Sequence, residues 1–225
     1  MRRSLRYVIE TLTLWAAIST AFAALLFGAA GTARLVSLRA YLGTFSLVLL
    51  VTMLSVDPQL AGERANPGQD SSPSNLHIPS GFFFLMTLTS ASLLVGRTNT
   101  LIVPIAIRWI ALAIFASSSA LQTWAMVANP FFSPVVRIQA DRGHKLIDSG
   151  PYRLVRHPGY LAMCISVAAT AVAIGSWLAL IPAGAFTLII RQRAKLEDRF
   201  LRINLAGYAK YAEDVRSGFP FARSS

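Results

Sequence analysis

Long runs without charge divide the chain into hydrophobic segments separated by polar connections. Four of these runs can cross the ~30 Å hydrocarbon core of a bilayer as single helices. They cover residues 11–33, 40–56, 78–96 and 109–136. The fourth run is entered from Pro104, and the long side chain of Arg108 can reach back to the interface. The connection at 57–77 is rich in Pro, Gly, Ser and Asn without periodicity, and it predicts a loop.

A fifth apolar stretch, residues 159–190, also contains no charged residue. As one helix it would be ~48 Å long, which is too long for a single crossing without severe tilt. Gly175 lies near its middle and Pro182 follows, and both residues weaken a helix where a turn would fall. The stretch therefore predicts a helical hairpin, with arms at 159–174 and 177–191, that enters and leaves on one side. Because the arms are short, a turn inside the membrane and a turn at its far surface both remain open.

The composition of the chain favours an integral membrane protein. Hydrophobic residues make up 54% of the 225 residues, charged residues only 14%, and the mean hydropathy is +0.53. Soluble domains carry about 25% charged residues, so a soluble domain is excluded, as is a disordered chain. Cys164 is the only cysteine, which excludes a scaffold held by internal disulfides. The net charge of +11 fits orientation signals beside membrane spans, and we expect no nucleic-acid partner.

The distribution of Lys and Arg predicts the orientation of the chain. The first run is too long for the apolar part of a typical signal peptide, so we expect an uncleaved span whose N-terminus is cytoplasmic. Most cations then lie inside, and only Arg34, Arg39 and Arg97 lie outside, in agreement with the positive-inside rule. The predicted fold is an all-α polytopic membrane bundle of four spans, a C-terminal helical hairpin and a cytoplasmic tail helix. This arrangement contains five or six transmembrane segments, depending on how far the hairpin reaches.

The polar connection at 129–158 contains a first group of residues suited to chemistry. Gly150-Pro151 predicts a turn. The residue before a proline avoids the α conformation, so Pro158 keeps His157 outside the next helix, which begins just before Tyr160. Taken singly, these residues are equally typical of an interfacial loop with tyrosines at the depth of the lipid headgroups.

The tail at 191–225 contains a second group. Arg193 and Glu197 are four residues apart, so they share one face of a predicted helix that ends near Gly207. The hairpin returns this helix to the membrane face from which it started. An acid, a guanidinium, a histidine and tyrosines can therefore surround one cavity, although neither polar group alone would indicate a site.

These motifs, in this order and spacing, resemble the isoprenylcysteine carboxyl methyltransferase family, whose wider group includes phospholipid N-methyltransferases. The resemblance covers about residues 129–220 and implies that S-adenosylmethionine binds between the loop and the tail helix. The positions that match its cofactor-binding residues are Gln139, His144, Lys145, Leu146, Ile147, Tyr152, His157, Pro158, Gly159, Tyr160 and Glu197. Arg193 matches the arginine that faces the substrate. Asp198 stands where the family often has a second Glu, either as a shorter substitute or as a surface acid.

The resemblance implies two parts, the spans of residues 1–128 on the substrate side and a methyltransferase region at 129–225. We expect methyl transfer to a lipophilic carboxylate, with membrane lipids as surroundings, no metal, and an oligomeric state that the sequence leaves open. A carboxylate is ionised at neutral pH and needs no general base. Three alternatives remain, namely a phospholipid N-methyltransferase, an NADPH-dependent membrane reductase of related bundle, and a non-enzymatic scaffold or transporter subunit.

Overall fold

The computed structural model describes residues 5–68, 76–98 and 102–215, which form a bundle of helices. The helices are α1 (Leu5–Ala30), α2 (Val36–Ser55), α3 (Pro58–Ala65), α4 (His77–Leu93), α5 (Ile105–Ala128), α6 (Pro158–Ile174), α7 (Leu180–Asn204) and α8 (Tyr208–Asp214). A π-helical turn, Leu94–Thr98, extends α4, and 3-10 turns occupy Ala140–Arg142 and Gly150–Arg153. In the described part of the chain every regular element is helical, apart from one isolated bridge between Ile102 and Ser176. The predicted all-α fold is confirmed.

Four of the helices are long and apolar enough to cross a membrane, and they coincide with the four predicted spans. The first begins earlier than predicted, because Arg6 and Glu10 pair across one turn and carry the helix into polar sequence. The fourth ends at Ala128, so the predicted continuation to residue 136 is wrong. Pro130 explains this difference, since it disfavours the α conformation at Asn129, which is extended.

A short helix, α3, lies within the connection that was predicted to be a loop. Asp57 caps it by accepting a hydrogen bond from the backbone N–H of Gln59 at 2.7 Å, and Pro58 occupies the first helical position. Leu60 is fully buried in a small cluster with Val56 and Met126. This contact fixes α3 across the end of the bundle where α2 ends. The remainder of the predicted loop includes residues 69–75, which lie outside the described residues.

The predicted hairpin is formed by α6 and the first half of α7. Gly175 ends α6 with φ +127°, in the region that favours glycine, and its carbonyl accepts the backbone N–H of Val103 at 2.9 Å. The hydroxyl of Ser37 donates to the carbonyl of Ile174 at 3.1 Å. Since Ser37 and Val103 lie where α2 and α5 begin, the turn reaches the far end of the bundle. Arg108 reaches back to the same place, donating to the carbonyl of Val103 at 2.7 Å.

Buried hydroxyl groups join the hairpin to the other spans. Ser166 on α6 pairs with Ser118 on α5 at 2.8 Å, and Thr170 pairs with Tyr41 on α2 at 3.1 Å. Such interhelical hydrogen bonds stabilise contacts between membrane helices by about 0.6 kcal/mol each. They fix α6 in the middle of the bundle, so its start at Pro158 and the polar half of α7 lie at one end.

The tail helix is the direct continuation of the second hairpin arm. α7 runs without interruption from Leu180 to Asn204, so the predicted end near Gly207 is three residues late. Gly207 has φ +80° and instead precedes α8, which the sequence did not predict. Tyr208 and Tyr211 of α8 pack with Leu205 in a separate buried cluster. α8 therefore folds back onto the end of the bundle and closes one side of the site.

Candidate active site

The two predicted polar groups meet at the end of the bundle opposite the hairpin turn, where they line a cleft. The cleft and its open mouth together enclose about 750 Å³. Nine predicted cofactor-binding residues line it, namely His144, Lys145, Leu146, Ile147, Tyr152, His157, Gly159, Tyr160 and Glu197. Gln139 and Pro158 are buried beside the cleft without lining it, and Arg193 also does not line it.

The Gly150-Pro151 turn places Tyr152 in the wall of the cleft. Gly150, whose φ of +58° favours glycine, begins the 3-10 turn, and Pro151 is its second residue. Tyr152 is buried, and its hydroxyl oxygen accepts a hydrogen bond from Nδ2 of Asn129 at 3.3 Å. Its backbone carbonyl accepts the hydroxyl of Tyr211 at 2.7 Å. The turn is therefore held between the end of α5 and α8.

The start of α6 brings His157 and Tyr160 together. His157 keeps a non-helical backbone conformation, as its position before proline predicts. The rings of His157 and Tyr160 stack with centroids 5.5 Å apart and an interplanar angle of 16°. Gly159 lies against the ring of Phe132, which would collide with any side chain at this position. Gly159 thus has a packing role in addition to lining the cleft.

Tyr160 connects the two hairpin arms through its hydroxyl group. The hydroxyl donates to Oε2 of Glu197 and accepts Nε–H of Arg193 at 2.8 Å. The guanidinium of Arg193 also donates to the carbonyl of Pro134 and lies 5.5 Å from the centre of the Tyr160 ring. Arg193 is buried, and its position behind Tyr160 separates it from the cleft. One tyrosine therefore links a carboxylate that lines the cleft to a cation that lies outside it.

Asp198 is the centre of a second network and is not a surface acid. Arg156 donates to its carboxylate through Nε at 2.9 Å and Nη2 at 3.2 Å, and the hydroxyl of Tyr208 donates at 2.7 Å. Burial alone would raise the pKa of Asp198, but the hydrogen bonds of His157 and Tyr208 and the charge of Arg156 hold it well below its ordinary value. Arg156 also donates to the carbonyl of Val215 at 2.7 Å. Asp198 therefore ties α7 to the loop and to α8.

His144 stands in the cleft as an imidazole held from two sides. Its ring stacks on Phe131 with centroids 4.4 Å apart. Its Nδ1 accepts the backbone N–H of Gln139 at 3.2 Å, so the neutral ring carries its proton on Nε2. Burial lowers the pKa of His144, and this effect together with the charges of Arg137 and Arg142 outweighs the opposing charge of Glu197. The fully buried side chain of Gln139 donates to the carbonyl of Phe131 at 2.9 Å and so supports this pair.

Sequence reasoning missed several residues of the cleft. They include Asn129, Phe131, Phe132, Arg156, Tyr208 and Tyr211. Some signals were available, since Arg156 precedes His157 directly and Tyr208 and Tyr211 lie three residues apart in the tail. No local pattern marks Phe131 and Phe132, which follow the proline break after α5. Their contribution depends on packing against residues distant in sequence.

The fold and the cleft define a multi-pass integral membrane protein whose polar site lies at one end of a helical bundle. Residues 109–203 match the model of the isoprenylcysteine carboxyl methyltransferase (ICMT) family. The resemblance predicted from the loop and tail motifs is thereby confirmed for this region. The matched region contains every residue predicted to bind the cofactor or face the substrate.

Named relatives and a solved structure agree with this family match. A probable protein-S-isoprenylcysteine O-methyltransferase of Oryza sativa subsp. indica is 39% identical over 101 residues, covering 43% of this chain and 51% of that protein. Protein-S-isoprenylcysteine O-methyltransferase A of Arabidopsis thaliana is 32% identical over 101 residues, covering 43% of this chain and 50% of that protein. The matches thus span about half the length of these relatives.

The likeness in fold extends over almost the whole chain. A structure of the eukaryotic intramembrane Ras methyltransferase ICMT superposes with a TM-score of 0.58 and 16% identity. The superposition covers 95% of this chain and 77% of that structure. At this identity the match establishes the fold, and it includes the N-terminal spans that the family match does not reach.

Proposed function

We propose that the protein is an S-adenosylmethionine-dependent methyltransferase that methylates the carboxylate of a lipophilic substrate, such as a prenylated cysteine. The observation that carries the proposal is the Glu197–Tyr160–Arg193 connection. It places Glu197, an acceptor suited to the cofactor, and Arg193, a donor suited to a substrate carboxylate, on two sides of one tyrosine. The names of the relatives support the same reaction.

The residues of the cleft fit the chemical groups of S-adenosylmethionine. Glu197 can accept hydrogen bonds from ribose hydroxyls or from the amino group. The stacked rings of His157 and Tyr160 offer aromatic faces to a sulfonium cation. His144 and Lys145 can donate to a carboxylate. Asp198 is committed to Arg156, so Glu197 is the acid available to the cofactor.

Bound in this cleft, S-adenosylmethionine supplies a methyl group activated by a positively charged sulfur. Arg193 would orient the acceptor carboxylate chiefly by its charge, since its Nε and Nη2 groups already donate to Tyr160 and Pro134. A C–O bond to the acceptor carboxylate would form as the C–S bond breaks, and the electron pair of the C–S bond would stay on sulfur. No proton moves, because the acid is already ionised at neutral pH. The protein contributes alignment and the exclusion of water.

We further propose that the cleft and the C-terminal tail face the cytoplasm. The cations of α7 and of the connection before α6 lie at the same end of the bundle as the start of α1. Cytoplasmic ends of membrane helices carry an excess of Lys and Arg, which supports this orientation. The substrate would reach the site laterally from the lipid, since an apolar tail has no reason to enter water.

The reaction can be tested with the purified full chain and S-adenosylmethionine labelled in its methyl group. Incubation with a prenylated cysteine should give a labelled product that releases volatile methanol in alkali, because the new bond is an ester. Label that stays with phospholipid after alkali would instead indicate N-methylation of a headgroup amine. The proposal is contradicted if a folded sample transfers no label to any carboxylate while binding NADPH or no cofactor at all.

A further inference from the structure

The short helix α3 fastens itself to the active-site loop through Glu63. The carboxylate of Glu63 is buried and accepts hydrogen bonds from Arg137 at 2.7 and 3.0 Å and from the hydroxyl of Ser133 at 2.9 Å. Although burial opposes it, the hydrogen bond from Arg137 lowers the pKa of Glu63. The charge of Glu63 is thus occupied by Arg137. This anchoring fixes the next residue, Arg64, beside the loop.

Arg64 and Arg193 both donate hydrogen bonds to the backbone of the same loop segment. Arg64 donates through Nη1 to the carbonyl of Phe132 at 3.3 Å, and its guanidinium lies 5.5 Å from the centre of the Phe132 ring. Arg193 donates to the carbonyl of Pro134, two residues further on. Carbonyls two residues apart are at most ~7 Å from each other. The two guanidiniums thus bind nearby carbonyls of one segment, and the charge of Arg193 acts on Arg64.

The electrostatics of this pair favour a bound anion. Arg64 is surrounded closely enough that burial lowers its pKa, and the charge of Arg193 lowers it further, yet part of its side chain remains exposed. Within residues 5–68, 76–98 and 102–215, no carboxylate lies within ion-pair distance of Arg64. Arg64 keeps an exposed face whereas Arg193 is buried, so an anion seated against Arg64 is stabilised by the charges of both residues.

We propose that Arg64 determines specificity, forming with Arg193 a two-cation site for the carboxylate of the methyl acceptor. The inference rests on the proposed function and deepens it. Arg64 would bind one oxygen of the carboxylate, and Arg193 would stabilise the other oxygen. An amine or ammonium acceptor is repelled by the same pair, so the site selects O-methylation over N-methylation.

Arg64 lies outside the region that matches the family, which begins at residue 109. The contact therefore assigns part of substrate recognition to the N-terminal spans and their connections. An anionic lipid headgroup is the competing ligand for the same two cations, because phosphate and carboxylate both accept bidentate hydrogen bonds. The experiment below separates these ligands.

Binding of a prenylthioacetic acid and of its primary amide to the purified full chain tests the inference. The two probes differ only in charge at the reacting group. Wild type should bind the acid at least about tenfold more tightly than the amide, as expected for a charge-assisted contact. Arg64→Ala should weaken binding of the acid by about tenfold and leave binding of the amide within about twofold. Arg64→Lys should restore part of the preference.

Arg153→Ala is the matched control, since Arg153 is an exposed cation in the connection before α6. It should change neither affinity. The inference is overturned if Arg64→Ala weakens both probes equally, which indicates a structural role through Phe132, or if it changes only binding to vesicles rich in anionic phospholipid. If wild type itself shows no preference for the acid, the proposed carboxylate methylation fails instead.

Discussion

Replacement of Gly159 by alanine tests how the loop packs on the hairpin. An ideal Cβ at this position would lie 2.4 Å and 2.6 Å from two ring atoms of Phe132. Contacts this short require the ring or the start of α6 to move by about 1 Å, and such overpacking costs roughly 1–3 kcal/mol. For a chain of this size we expect Tm to fall by roughly 2–12 °C. Helix propensity opposes this loss only weakly, because Gly159 is the second residue of α6 and does not lie in a helix interior.

Gly184→Ala provides the matched control, because Gly184 lies within α7 and has nothing within 4 Å of the added Cβ. This variant should leave Tm unchanged or raise it slightly. Combining Gly159→Ala with Phe132→Leu should recover part of the lost stability, since the smaller side chain relieves the clash. Thermal unfolding of the purified proteins in detergent measures all three variants and wild type. A Gly159→Ala variant that is as stable as wild type would refute the described contact between Phe132 and α6.

Three further predictions concern the polar networks. Asp198→Ala should lower the free energy of unfolding by about 3 kcal/mol, because it leaves Arg156 buried without its carboxylate, whereas Asp198→Asn should cost less. Chemical denaturation measures both variants, and an Asp198→Ala protein as stable as wild type would contradict the network. Tyr160→Phe should weaken S-adenosylmethionine binding measured by calorimetry, since it removes the hydroxyl that holds Glu197, and the loss of one partner costs about 1–3 kcal/mol. Burial lowers the pKa of His144 in the folded state. The contribution of its neutral ring to the free energy of unfolding is therefore complete above the pKa of the unfolded state, about 6.5, and is lost as pH falls through the pKa of the folded state. The free energy of unfolding should therefore decline below neutral pH in wild type, and His144→Gln should flatten that decline; a pH profile of stability that is unchanged in the variant would contradict this role.

The hairpin could be predicted from the sequence because length and charge leave few alternatives. An uncharged stretch too long for one crossing, with Gly175 near its centre, has to turn. The reach of the turn could not be predicted, since it depends on Val103 and Ser37 at the far ends of other spans. The helix α3 was missed because its eight residues include Pro58 and Gly62 and show no hydrophobic periodicity, although Asp57-Pro58 is a typical helix start.

The candidate site was predictable where short motifs carry it and unpredictable where distant contacts do. His157, Tyr160 and Glu197 follow from the motifs and meet in the cleft as expected. Asp198 looked like a second acid of the tail helix, whereas its role comes from Arg156, which is 42 positions away in sequence. The contact between Gly159 and Phe132 likewise joins two segments whose proximity no sequence pattern indicates.

Calorimetric titration of S-adenosylmethionine into the purified protein tests the central claim most directly. The claim is that the cleft between the loop and α7 is the cofactor site and that Glu197 is its acid. Wild type should bind, and Glu197→Ala should bind at least about tenfold more weakly, as expected for the loss of a charged acceptor. Glu213→Ala, which removes an exposed acid of α8, should bind like wild type. Wild-type affinity in Glu197→Ala would contradict the account.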